Sequence, residues 1–547
     1  MTNLPANIRD NLHFLIAEVD TQLDDLQRFF KSRALSRAQR VLDRRGYSEN
    51  LMLRIQNNCI QEISVATERK IPRLRAIQSV SADLDRLTEL SRDAINQMSY
   101  IENPRVLKSK GYVTVLETVR RGISLIEEAL TENDTQLALS IGSCEHEIDT
   151  EYEKLLVNYT QALKQKSDTE DLISALLVAH TMERMGDLLL NISESLLSSI
   201  LGQAMDIDRY HTLMDSLQRL SDSGENKEMV VEPIAETRSG SGISGITSKN
   251  KSKKAADYLA IYKDGLRSKL KEERDGVEEW HEVYPGLAPR ILSYKKRGET
   301  ASLLIEHLAG MTFEQILINE SDELLNEALK KIGKTMNDVW KETKNKKSEP
   351  AGFMRQLKKR INDVYAVHPE FESSISNICG HSVCSFAELI NEAEKIEEHL
   401  SPPFSVYIHG DFNVDNIIYD PSEKKVNYID LHRSQYMDYV QDVSVFMISN
   451  YRLQIMSSPV RARIIKVIRD FYKISARYAK RNNDESFELR LALGLARSLV
   501  TSTRFILDKS LAADMYLHAR YLLEQVVRLK KSDYLRYKVP VKELFIG

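Results

Sequence analysis

Between Val406 and Asp430 the chain reads VYIHGDFNVDNIIYDPSEKKVNYID. An apolar strand runs into His409-Gly410-Asp411, with Asn416 a short step further on. A hairpin and a second apolar strand follow, ending at Asp430. Asp and Asn are common in turns, so none of these residues means much alone; the whole string on two apolar strands is specific. Phosphoryl transfer from a nucleotide asks a protein for a carboxylate that orients an attacking hydroxyl and accepts its proton. It also asks for oxygen ligands that hold magnesium on the phosphates. Asp411, Asn416 and Asp430 are the right residue types in the right order for these tasks.

HGDFNVDN followed by YID resembles the catalytic and metal-binding loops of the aminoglycoside phosphotransferase and choline kinase-like family. This is a branch of the kinase fold that usually phosphorylates small molecules. The resemblance implies ATP and Mg²⁺, with Asp411 as catalytic base and Asn416 and Asp430 as magnesium ligands. Asp438 and Asp442, in MDYVQDVSVF, resemble the family's structural acidic pair, without the usual proline beside the first. A protein kinase proper is disfavoured, since the loop reads HGD rather than HRD and no DFG or APE string follows.

An upstream half of such a site is readable. Ala235 to Arg238 reads as a strand leading into SGSGISG, Ser239 to Gly245. Gly/Ser runs are more often linkers, but this one precedes YLAIYK, an apolar run closing on Lys263, the pattern of the strand that carries a phosphate-pairing lysine. The stretch from Gly240 through Ser241 and Gly242 to Gly245 is therefore expected to bring backbone N–H groups to the phosphates. SKNKSKKAAD between them reads as a solvated hairpin tip. The following helical pattern carries Leu270, Val277 and Trp280 with Glu272 and Glu273; Glu273 is the preferred partner of Lys263. LLIEHLAGMTFEQIL, Leu303 to Leu317, reads as strand, glycine turn and helix, with Glu306 to Leu308 as the hinge that would meet the adenine.

The first 200 residues differ from the rest. Glycine is sparse, and Ile8, Leu12, Leu15, Ile16, Val19, Leu23 and Leu26 recur at helical spacing. Further helices are expected over 34–64, 72–101, 111–131, 135–165 and 169–200, with a capping box from Ser167 to Glu170, and six such helices point to a bundle. Acids recur four apart at Asp85, Glu89 and Asp93, at Glu145, Asp149 and Glu153, and at Glu183 and Asp187. Such faces are solvated, paired with arginine or neutralised by metal. HTMERMGDLLLNISESLL, His180 to Leu197, resembles the signature helix of PhoU-type phosphate-signalling domains, built of two three-helix halves. The resemblance covers roughly residues 5–200. It implies a metal cluster (Mg, Mn, Fe or Zn) on Glu145, Asp149, Glu183 and Asp187, with Glu89 and Asp93 as the counterpart in the first half. LDRRGYSENLMLRI lacks an acid four residues after Asp43, which leaves one of two metal sites incomplete or lost.

The 547 residues, 42% of them hydrophobic, suffice for several cores. A net charge of −4 gives no global case for nucleic acid. No apolar run approaches a membrane span, and four cysteines fit a reducing cytoplasm. Cys379, His381 and Cys384 lack a completing ligand for zinc, and a loop with two free thiols is the better reading. The expected architecture is α + α/β: a six-helix PhoU-like bundle over 1–202, a linker over 203–228, and a bilobal protein-kinase-like fold with lobes at 229–310 and 311–547. The expected function is phosphoryl transfer to a small-molecule hydroxyl, coupled to a PhoU-like regulatory domain with a phosphate-signalling protein partner; a homodimer is compatible. The alternative is a non-catalytic regulator whose kinase domain senses nucleotide.

Overall fold

The computed structural model describes residues 4–66, 70–165, 167–202, 205–222, 229–236, 242–248, 258–372, 377–379, 381–382, 384–455 and 457–546. The chain divides into two compact units: Met1–Lys251 with Tyr262–Gly265 and Lys295–Ser302, and Ser252–Ile261 with Leu266–Tyr294 and Leu303–Gly547.

The first unit opens with α1 (Ala6–Ser32), α2 (Leu35–Asp43), α3 (Tyr47–Ile63) and α4 (Ile71–Met98). It continues with α5 (Ser109–Ser124), α6 (Ile126–Glu132), α7 (Thr135–Leu163) and α8 (Thr169–Leu201). The apolar stripe of α1 is its buried face: Ile8, Leu12, Leu15, Val19, Leu23 and Leu26 are all buried, the burial that makes a long amphipathic helix stable. Two of the six expected helices are broken. The 34–64 helix stops before Gly46, which takes a φ of 83° that only glycine adopts freely, and the 111–131 helix breaks at Leu125. The expected capping box does not form. Asp168 is the N-cap residue of α8, in a left-handed conformation without a side-chain cap, and its carboxylate accepts a hydrogen bond from Asn103 Nδ2 at 3.0 Å.

The expected linker is largely helix, α9 (Ile207–Asp222). Tyr210 Oη bonds Thr135 Oγ1 of α7 at 3.0 Å. A five-stranded sheet follows, built of β1 (Met229–Glu236), β2 (Gly242–Ser248), β3 (Ala260–Leu266), β4 (Ile291–Arg297) and β5 (Thr300–Glu306) in the order β1-β2-β3-β5-β4. β1 pairs antiparallel with β2, and the register slips at Pro233, a residue that cannot donate to the ladder. α9 covers one face of β3. Tyr262 Oη lies 3.1 Å from Thr212 Oγ1, and Arg209 pairs with Asp264 at 3.0 Å. Strand alternation puts Lys263, between these two, on the opposite face.

In the second unit α10 (Arg267–Val283) precedes β4, and β6 (Met311–Thr312), α11 (Phe313–Asn319), α12 (Asp322–Glu342) and α13 (Phe353–Val367) follow β5. Then come β7 (Asn377–Ile378), β8 (His381–Ser382), α14 (Phe386–Glu397), β9 (Val406–Ile408), β10 (Ile417–Asp420), β11 (Lys425–Tyr428) and β12 (Gln435–Met437). The chain ends with α15 (Val440–Tyr451), α16 (Ser458–Arg481), α17 (Phe487–Thr503), α18 (Lys509–Arg528) and α19 (Val541–Leu544). α15 and α17 are buried along their whole length, as expected of helices at the centre of a core. Inside it the Arg490 guanidinium is held between Asp438 and Asp484, so a charge that would be costly alone is paired on both sides. Among the described residues no helix is long and apolar enough to cross a membrane.

Candidate active site

The hairpin β10–β11 is antiparallel, with Ile417 opposite Tyr428, and β12 pairs antiparallel with β9. The loop after β9 and the loop after β11 therefore emerge together, carrying Asp411 and Asp430. Gly410 makes the turn, at a φ of 82°. A Cβ there would lie 2.2 Å from the carbonyl oxygen of Arg433, so only glycine fits.

The loop is tied down from beneath. The Asp442 carboxylate accepts the backbone N–H of His409 at 2.8 Å and of Gly410 at 2.9 Å. Burial pushes the Asp442 carboxyl up to about 7 against the pull of those two bonds. His409 is fully buried, and burial lowers its pKa, so it is the neutral imidazole. Its Nε2 lies 3.0 Å from Ile429 O, which makes this the donor nitrogen, and Nδ1 accepts the Asp411 N–H at 3.3 Å. His409 thus links the two loops structurally. Trp280 of α10 donates to Ser434 Oγ at 2.7 Å, and Ser434 Oγ donates to His409 O at 3.2 Å.

Asp411 accepts from Asn413 Nδ2 at 2.9 Å and from Arg433 Nη1 at 2.9 Å. Asn416 Nδ2 donates to Asp411 O at 3.0 Å, which fixes the amide and directs its oxygen away from that bond. Asp430 has a φ of 61°, and its Oδ1 accepts from His432 Nδ1 at 2.8 Å. An amide oxygen and a carboxylate on adjoining loops are the hard oxygen donors that magnesium takes, so these residues fit the ion. Gly276 lets α10 press against the loop after Asp430, since a Cβ there would meet Leu431 O at 2.3 Å.

The upstream residues fall out less uniformly. Lys263 is half-buried in β3, while on α10 Glu273 is buried and Glu272 exposed. The glycine-rich stretch needs correction. Gly242 and Gly245 lie in β2 and not in a loop, and the Gly242 N–H donates to Asp264 Oδ1 at 3.1 Å, so that donor is already used. Gly240 and Ser241 lie outside the described residues, as does the lysine-rich tip 249–257. β5 ends at Glu306, whose N–H donates to Arg290 O at 2.9 Å and whose carboxylate pairs with Arg290. Leu308 follows the strand, before the turn at Gly310.

The bundle acids come together without forming a ligand set. Burial first, then Asp149 and Asp187, raises the pKa of Glu145, and burial followed by Asp187 raises that of Glu183. Glu183 lies 3.1 Å from His180 Nδ1, and Glu89 pairs with Arg86. Among the described residues no three His, Cys, Asp or Glu side chains converge as a metal site would need. Neither the expected cluster on Glu145, Asp149, Glu183 and Asp187 nor its counterpart at Glu89 and Asp93 forms such a group. Cys379 and Cys384 are free and exposed.

Sequence reading missed the arginines around Asp411. Arg360 on α13, Arg433 after β11 and Arg497 on α17 all act on that carboxylate or on one another. One signal was legible: Arg497 is the one charge in LALGLARSLV, an otherwise nearly apolar run.

The family model of the PhoU domain matches residues 113–196, and that of the ecdysteroid kinase-like family matches 292–464. The first match falls on the half that carries the signature helix; the second contains Asp411, Asn416 and Asp430 but not Lys263 or Glu273. No curated protein matches the sequence. Among solved structures, PhoU from Pseudomonas aeruginosa is 17% identical, covering 36% of this chain and 96% of its own, with a TM-score of 0.33. A Plasmodium vivax ethanolamine kinase is 13% identical, covering 61% and 92%, with a TM-score of 0.33. A type VIII aminoglycoside-3'-phosphotransferase is 17% identical, covering 49% and 99%, with a TM-score of 0.29. The chain thus carries a stretch similar to the PhoU domain within its helical bundle, followed by one similar to the ecdysteroid kinase-like family.

Proposed function

We propose that the chain is an ATP-dependent phosphotransferase acting on a hydroxyl of a small molecule, coupled to a PhoU-like regulatory bundle that takes a phosphate-signalling protein partner. The observation that carries this reading is the catalytic loop. Asp411, Asn416 and the loop bearing Asp430 are held in one rigid arrangement by Asp442 and His409, and positioning of this kind is most of what a protein contributes to phosphoryl transfer. The acceptor oxygen bonds to the γ-phosphorus as the bridging β–γ bond breaks and ADP leaves; the hydroxyl proton passes to Asp411. Asn416 and Asp430 would hold Mg²⁺, whose charge offsets that of the phosphates. Lys263 would pair with the α/β-phosphates, oriented by Glu273.

A second reading, a non-catalytic nucleotide sensor, is favoured by one observation: Arg433 occupies a carboxylate oxygen of Asp411. ADP release from Mg·ATP, measured across a panel of hydroxylated acceptors with Asp411→Asn as blank, separates the two. Asp411-dependent turnover supports the enzyme; tight Mg·ATP binding without turnover supports the sensor.

A further inference from the structure

Three arginines from distant parts of the sequence surround one carboxylate. Arg433 pairs with Asp411. Arg497 is 5% exposed; its Nη2 donates to Gln441 Oε1 at 2.7 Å, while its Nε–H has no partner among the described residues. Arg360 forms no hydrogen bond or ion pair among the described residues, and burial followed by Arg433 and Arg504 holds it below its ordinary pKa. Burial, Arg360 and Arg433 push Arg497 down to about 10. Nearby acids are committed elsewhere. Glu397 caps α13 through the N–H groups of Phe353 and Met354, and Asp363 pairs with Arg504.

Like charges gathered in a partly buried place, with one carboxylate among them, repel one another and lose hydration. A fold keeps such an arrangement stable most simply when an anion completes it, and guanidinium forks match the oxygens of phosphate and carboxylate. We propose that the acceptor carries an oxyanion, a phosphate or a carboxylate, besides its reactive hydroxyl, and that Arg360, Arg433 and Arg497 hold that group beside Asp411. This rests on the phosphotransferase reading of the same site. It also argues against an amine-bearing acceptor, which would place a cation among cations.

The test uses the full-length protein. Thermal stability is followed with inorganic phosphate and with glycerate as probes, and ADP release from Mg·ATP is followed with glycerol 3-phosphate, glycerate, glycerol and ethanolamine. The expected result is stabilisation by at least one anion, with apparent affinity weakened roughly tenfold or more in Arg360→Gln, the scale of a lost hydrogen bond to a charged group. Any turnover of glycerol 3-phosphate or glycerate should exceed that of glycerol and ethanolamine, with the Arg360→Gln loss falling on acceptor KM and not on ATP KM. A response to phosphate alone identifies a phosphate ester, and a response to glycerate alone a hydroxy acid. Anion binding that is absent, or equal in wild type and Arg360→Gln, overturns the proposal, as does preferred turnover of ethanolamine or glycerol. Mg·ATP binding that depends on Asp430, measured in the same preparation, reports on the phosphotransferase reading separately.

Discussion

Arg433 donates from Nη1 to Oδ2 of Asp411 at 2.9 Å, while Asn413 holds the other oxygen at 2.9 Å. Both oxygens of the proposed base are thus oriented by side chains. Asp411→Ala removes the proton acceptor but none of the proposed nucleotide ligands. Its kcat should fall by about a hundredfold or more, the general acid–base scale, with Mg·ATP affinity little changed. Steady-state kinetics beside calorimetry checks both halves, and near-wild-type turnover would refute the assignment.

Asp430 and Asn416 differ in charge though both offer oxygen. Asp430→Ala should therefore weaken Mg·ATP binding more than Asn416→Ala, because an anionic ligand neutralises more of the ion's charge than an amide does. Removing magnesium should erase the difference between the variants. Titration calorimetry with and without EDTA measures this; equal losses would count against the assigned ligand roles.

Asp442 sets a pH dependence. Burial pushes its carboxyl up to about 7 in the folded chain, from an ordinary 3.8, so the folded state binds this proton more tightly than the unfolded state does. Stability from this group is fully present below the unfolded value and is lost as pH rises towards the folded one, by a few kcal/mol at most. Asp442→Asn abolishes the titration but leaves one of the two backbone N–H groups without an acceptor, at a cost of about 1–3 kcal/mol. The variant should be clearly less stable than wild type at pH 5, and the gap should narrow by pH 8. Urea denaturation at the two pH values decides this, and a gap that widens with pH contradicts it.

What was legible in the sequence was local. The α1 stripe and the HGDFNVDN loop each declare themselves within a few turns or strands, because helix periodicity and strand-to-loop switches are short-range signals. Arg360 and Arg497 lie 137 residues apart in the sequence, and only the packing of α13 and α17 around Asp411 brings them together. The linker expected over 203–228 rests on SDSGENKEM, which begins at Ser221 in the last turn of α9, although Tyr210 and Leu213, one turn apart, are buried on one helix face. Gly242 misled for a related reason: glycine permits a phosphate loop, but it also permits a strand to approach the Asp264 carboxylate closely.

Arg209 and Asp264 form an ion pair at 3.0 Å, with the carboxylate 4% exposed. Asp264 is next to Lys263, so the pair pins α9 to the strand that carries the proposed phosphate ligand. Arg209→Ala should cost about 2 kcal/mol or more, since it removes a charged partner from a buried carboxylate. Adding Asp264→Ala should recover part of that loss, as coupled residues do in a double-mutant cycle. Chemical denaturation of the three variants measures the coupling, and strictly additive losses would show that the pair contributes nothing.

Glu183 tests the bundle. Its pKa is raised by burial and then by Asp187, with Asp149 adding to the repulsion, so without a metal its charge opposes folding at neutral pH. The raised folded value means that this contribution worsens as pH rises through it. Because no metal-ligand set forms among the described residues, Glu183→Gln should leave stability unchanged or raise it by a few tenths of a kcal/mol, the scale of like-charge pairs on helices. A metal ligand would behave oppositely, since its loss would lower both metal content and Tm. Elemental analysis of the nucleotide-free chain, with Tm measured in EDTA and in added Mn²⁺, separates the cases. Stoichiometric metal that Glu183→Gln removes, with a fall in Tm, would return the bundle to the metal-binding role that its sequence implied.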